Sequence, residues 1–213
     1  MKKILYSGIF LLLILSSFFC NNNTKKNNLI KNTDSKEFLK NIPKNKRGDF
    51  LVNPLFIEEV NRKLNIFSIN KGFDSLCVRL WYYTTLEKSQ MFEFSFKNNI
   101  WVGKSYILLY PHNDSSQITY SVEYKEPLNG WNNFNNILFN NNFYNLPDDY
   151  FIPKYNRAIH GAYIIVEIST KKYYRVYSYN EPKMNSNFEE AKSIENVMET
   201  IEKEFEVKRI KIF

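Results

Sequence analysis

The sequence predicts a single α+β domain, in which an antiparallel β-meander packs against a C-terminal amphipathic helix. Three observations carry that prediction. Between Leu76 and Tyr124 apolar side chains recur at every second position through four successive stretches, the period of a strand with one buried face. Between Phe188 and Phe205 they recur at intervals of three and four, which places them on one stripe of a helix. Aromatic residues, mostly Phe and Tyr, make up 17% of the chain, a composition that favours a packed β-rich core over disorder.

The first predicted element is a helix over Pro54–Leu64. Asn53 suits the N-cap and Pro54 the first helical position, while Phe56, Val60 and Leu64 repeat at a spacing of four. Four strands follow. Leu76, Val78, Leu80 and Tyr82 share one face of the first, and Phe92, Phe94 and Phe96 one face of the second. Lys97-Asn98-Asn99 reads as a tight turn, because Asn tolerates the left-handed conformation such turns demand. The third strand runs from Ile100 to Tyr110, a turn follows at His112–Ser115, and the fourth carries Ile118, Tyr120, Val122 and Tyr124. Short links between consecutive strands make a meander with one apolar face in need of a cover.

Beyond the Asn129-Gly130 turn, Trp131, Phe134, Ile137 and Leu138 fall on one side of a helix that the run Asn140–Asn142 ends. The stretch from Leu146 to Ile159 reads as loop. A hairpin is expected from Ala162–Ser169 and Tyr173–Tyr179 around Thr170-Lys171-Lys172. After Pro182 comes the C-terminal helix, with Ser186 and Glu189 matching a capping box. Its apolar stripe is the natural cover for the sheet. A last short strand, Val207–Ile212, is expected to pair back into that sheet.

The N-terminus carries an address. Met1-Lys2-Lys3 precedes the apolar run Ile4–Leu15, then Ser16-Ser17-Phe18-Phe19-Cys20, after which the chain turns abruptly polar at Asn21-Asn22-Asn23. A basic head and a short apolar core are how a chain enters an export channel, and the run is shorter than a membrane span requires. With a single cysteine at the boundary, residues 1–20 resemble a bacterial lipoprotein signal. That resemblance implies lipidation of Cys20 and a lipid-anchored, extracytoplasmic place in the cell envelope, at the outer membrane if the cell has one. It divides the chain into a signal peptide over 1–19, a polar tether over 20–49 and one domain over 50–213. Within the tether, Lys36-Glu37-Phe38-Leu39 reads as a helical turn. With Cys20 lipidated, Cys77 has no partner for a disulfide, and its apolar neighbours Leu76 and Val78 suit a buried, inert thiol.

The formal charge is +7, and falls to +5 once Lys2 and Lys3 leave with the signal. Because the lysines are scattered among glutamates, nucleic acid is not an expected partner. A weak attraction to anionic headgroups or surface polymers is allowed.

Few patterns point to catalysis. His112 and His160 are the only histidines, and neither belongs to an HExxH or paired-histidine motif. Asp148-Asp149 are adjacent, so on an extended segment they point apart, whereas a glycosidase sets its carboxyls roughly 5–9 Å apart across a cleft. Six glycines in the whole chain form no phosphate or dinucleotide loop. No catalytic residue, metal or cofactor is therefore expected. The expected function is a non-catalytic binding or accessory module of the envelope. The alternative is a small extracytoplasmic hydrolase or metal-dependent enzyme using His160 with Asp148 or Asp149.

The candidate binding surface is aromatic and basic. Trp81, Trp101, Tyr173 and Tyr177, with Arg79 and Arg175, would stack on a glycan or grip an envelope protein from the outer sheet face. The competing reading is a sheet covered on both faces, with these rings inside it. A third reading has an exposed sheet edge pairing with another chain.

Overall fold

A computed structural model describes residues 38–84, 88–110, 118–159 and 161–210. The expected signal with Cys20, the expected turn at His112–Ser115, and His160 lie outside the described residues. Seven strands form one sheet: β1 (Leu39–Asn41), β2 (Leu76–Tyr83), β3 (Lys88–Lys97), β4 (Ile100–Leu109), β5 (Thr119–Lys125), β6 (Tyr163–Thr170) and β7 (Tyr173–Asn180). Among the described residues three α-helices accompany them: α1 (Pro54–Lys63), α2 (Gly130–Asn140) and α3 (Glu189–Glu204). The strand order is β1-β7-β6-β2-β3-β4-β5, antiparallel throughout except for the parallel pair β1–β7. The fold is α+β, and these layers form one compact unit, Lys36–Phe213.

The meander from β2 to β5 forms as the alternation predicts. Asn98 and Asn99 both take positive φ, 53° and 63°, the pair required by a two-residue type I′ turn. From β5 the chain crosses over through α2 and returns beside β2, not β5, so the β6–β7 hairpin extends the sheet on its other side. That leaves β5 as one edge of the sheet.

Both faces are covered. Val78, Leu80, Phe92, Phe94, Ile164 and Val166 pack under α2, α3 and the segment from Phe143 to Tyr155. On the opposite face Cys77, Trp81, Met91, Tyr106, Ile165 and Val176 pack under α1. Each such side chain contributes roughly 1.5–3 kcal/mol by leaving water. Helix α1 begins as expected, with Asn53 Oδ1 accepting from the Leu55 N–H at 3.0 Å. It ends in a left-handed Asn65, φ 52°, with the Ile66 N–H donating to the Asn61 carbonyl.

Three local expectations are corrected. Leu39–Asn41, read as part of a tether with a helical turn at its start, is a strand on β7, and Lys44 bridges Phe50 just beyond. Order thus begins well before residue 50. Ser186 does not cap α3: residues Pro182–Asn185 form a 3-10 turn, Ser186 takes helical angles itself, and the N-cap position falls to Phe188. Finally, residues 207–210 form no strand. The Val207 N–H donates to the Glu202 carbonyl, and Arg209 pairs with Glu195 at 2.8 Å and Glu202 at 3.0 Å. Those bonds hold the segment against α3, where it adds no ladder to the sheet.

Candidate functional site

The residues singled out in the sequence do not assemble into one surface. Strand alternation puts Arg79 and Trp81 on the α1 face, and Trp101, Tyr173, Arg175 and Tyr177 on the α2–α3 face. Arg79, Trp81 and Tyr177 are buried. Trp101 is half-buried and stacks on Trp131, centroids 5.2 Å apart. Arg175 donates to the carbonyls of Tyr144 and Leu146, with its guanidinium 4.8 Å from the Tyr177 ring. Tyr173 accepts from Asn41 Nδ2 at the β1 edge. The six residues therefore form no single outer face: Trp81 and Tyr177 are interior, because helices cover both sides of the sheet, while Trp101 is half-buried and Tyr173 lies at the β1 edge.

Arg79 instead belongs to a row of charges crossing four strands. Lys104, Glu93, Arg79 and Glu167 stand in direct register on β4, β3, β2 and β6, alternating in sign. Arg79 Nε donates to Glu93 at 2.8 Å, Nη1 to Asn61 at 3.1 Å and Nη2 to the Phe67 carbonyl at 2.8 Å. Every edge of the guanidinium is thus occupied, and two of its partners tie α1 and its following loop to the sheet. Lys104 closes the row at 3.4 Å from Glu93. Glu167 is 0% exposed and accepts from Trp81 Nε1 at 2.7 Å and Tyr174 OH at 2.8 Å. Burial raises its carboxyl above the usual range, against the lowering influence of Arg79. Burial also works against the Arg79 charge, but Glu93 and Glu167 together hold it above the ordinary arginine value. Next to the row, burial pushes the Cys77 thiol well up, which keeps it protonated and inert. Removing one partner from such a buried pair costs about 3–5 kcal/mol, so the row fastens α1 to the sheet.

Asp148 and Asp149 are buried as well. Asp148 Oδ2 accepts from the Ser178 N–H at 2.8 Å and its hydroxyl at 3.0 Å, while Oδ1 accepts from the Tyr150 N–H. Asp149 accepts from the Asn180 N–H at 2.7 Å and from Arg157 Nε at 2.9 Å. The two carboxylates take the edge amides of β7 just past the short stretch that β1 covers. Burial raises the Asp148 carboxyl despite those bonds. A cavity of about 20 Å³ lies between β2, β3 and the end of α3, lined by Leu80, Phe92, Met198 and Arg209. It has room for about one water molecule. No cluster of three or more metal-ligating side chains occurs among the described residues.

What remains open is β5. All but the last of its seven residues are exposed, and the side away from β4 has no strand partner among the described residues. Tyr120, Val122 and Tyr124 stand in a row on the α1 face, 44%, 42% and 73% exposed. Ile107 and Leu109 of β4 are exposed on the opposite face. Tyr120 lies 6.4 Å from the Tyr106 ring, and Lys104 Nζ lies 5.7 Å from the Tyr124 ring, so the row is continuous with the packed sheet. Sequence reading placed these residues in a strand but not at an edge. The missing signal was topological, since only the return of β6 beside β2 leaves β5 at an edge of the sheet. No protein-family model, curated protein or solved structure matches the chain.

Proposed function

We propose that the chain is a lipoprotein of the cell envelope, anchored through Cys20, whose α+β domain is a non-catalytic accessory module. On this reading it binds an extended segment of an envelope protein along β5. The observation that supports it is the exposure of that strand. An outer edge with no strand partner among the described residues, flanked by Tyr120, Val122 and Tyr124, is complementary to another strand, which would gain ladder hydrogen bonds and aromatic contacts together. The hydrolase alternative needs carboxylates free to meet a substrate, whereas Asp148 and Asp149 are engaged by Ser178, Asn180 and Arg157.

Two measurements test the proposal. Metabolic labelling with a palmitate analogue should mark the wild-type chain and not Cys20→Ala; label absent from both would remove the anchor. A photoreactive residue at Tyr124 should give discrete adducts in intact envelopes that a residue at Lys183 does not. Val122→Lys should abolish those adducts while changing stability by no more than about 0.5 kcal/mol, since the site is exposed. Adducts that persist in the variant would sink the β5 reading.

A further inference from the structure

The turns at one end of the sheet meet in a ridge that the β5 site does not use. The Leu39 N–H donates to the Lys172 carbonyl at 2.9 Å, so the start of β1 lies against the β6–β7 turn. The Phe73 N–H donates to the Thr170 carbonyl at 3.1 Å, bringing the segment that carries Lys71 against the same turn. Next along, Asp74 pairs with Lys97 Nζ at 3.1 Å, and Lys97 stands opposite Ile100 at the β3–β4 turn. Lys71, Lys97, Lys171 and Lys172 are all exposed, as are the apolar Leu39 and Ile100. Of the nearby acids, Asp74 pairs with Lys97 and Glu58 accepts from Asn70 Nδ2 at 2.6 Å, so the four lysines face two carboxylates. The ridge therefore carries an excess of positive charge.

Two features identify what it meets. Exposed lysines interspersed with single apolar side chains, along a row of turns at the end of a sheet, match an anionic layer into which the apolar residues can dip. The chain also joins the sheet at this end, because Leu39 opens β1 only 19 residues after Cys20. Even fully extended, that stretch spans at most about 65 Å. The opposite end of the sheet lies a strand length from this one, roughly 30 Å.

We propose that this ridge docks on the anionic phospholipid headgroups of the membrane that holds the Cys20 lipid, setting the strands upright with their far ends away from the bilayer. The proposal rests on the lipid-anchor reading above. It is tested on the full chain, reconstituted in vesicles containing nitroxide-headgroup lipid. A fluorophore is placed at Leu39→Cys on the ridge or at Lys183→Cys, which follows β7 at the far end. Vesicles of phosphatidylglycerol with phosphatidylcholine are compared with phosphatidylcholine alone. Quenching at Leu39→Cys is expected to exceed that at Lys183→Cys by about twofold or more in the anionic vesicles, and to fall when Lys171→Glu and Lys172→Glu are added or salt is raised to about 0.5 M. Equal quenching at both ends, or quenching indifferent to phosphatidylglycerol and to the lysine variants, overturns the docking while leaving the anchor intact. Loss of the anchor itself appears separately, as a chain that takes up no palmitate analogue, and the docking falls with it.

Discussion

Glu167 has no exposed surface, yet it sits one strand away from a buried arginine and takes its hydrogen bonds from Trp81 and Tyr174. Burial raises its pKa above that of the unfolded chain, so the native state keeps the proton to higher pH. This contribution is fully present below the ordinary glutamate value of about 4.3 and is lost as pH rises through the raised value. In Glu167→Gln, which has the same shape and no titration, the decline of stability from about pH 4 upward should be shallower than in the wild type. Asp148, raised in the same direction, supplies part of the slope that remains. Denaturant midpoints measured from acid to neutral pH decide the matter, and an equal or steeper slope in the variant would contradict this account. None of it was legible beforehand. Arg79 and Glu167 alternate with apolar residues in ways that fit either a wet or a dry face, and only the presence of α1 on that face makes it dry.

At the scale of elements, local chemistry carried most of the information. Asn53-Pro54 starts α1 where expected, and Asn98-Asn99 turns β3 into β4 with the predicted left-handed pair. The capping box at Ser186 did not form, because the 3-10 turn at Pro182–Asn185 uses the residues that would have led into it. Where local signals were weak, tertiary partners decided: Leu39–Asn41 is a strand only because β7 offers it an edge. α3 ends in a left-handed turn. Glu206 takes φ 51°, with the Val207 N–H reaching back to the Glu202 carbonyl, in a position that glycine usually fills. The left-handed conformation costs a residue with a Cβ about 1–2 kcal/mol, part of which glycine returns as lost chain entropy. Glu206→Gly should therefore raise unfolding stability by about 0.5–1 kcal/mol. A decrease on denaturant titration would show that the Glu206 side chain does more than occupy the turn.

At the scale of the whole molecule, the alternation of apolar residues announced strands, and the C-terminal stripe announced a cover, but neither announced a second cover. That gap left the aromatic face with two readings, outer surface or core, and Trp81 and Tyr177 lie in the core. It also explains why β5, whose residues look no different from those of its neighbours, turned out to be the exposed strand. Strand order is a property of crossovers, and no residue encodes where the chain will return. A chain ended at Thr170 makes the dependence measurable. It lacks β7 and α3, so it has no neighbour for β1 and no α3 to close the face lined by Phe92 and Phe94. Such a chain should show no cooperative unfolding transition and little near-ultraviolet circular dichroism, and a sharp transition would contradict this reading of the core.

The parallel pair at the far edge has a consequence in time. Asn41 and Tyr173 hydrogen-bond although they stand 132 positions apart. A ribosome therefore finishes the first strand long before it makes the strand that receives it, and closing so long a loop is slow. The opening segment must wait, unpaired, for most of the polypeptide to appear. The seam between β1 and β7 is therefore expected to be the last part of the sheet to shut.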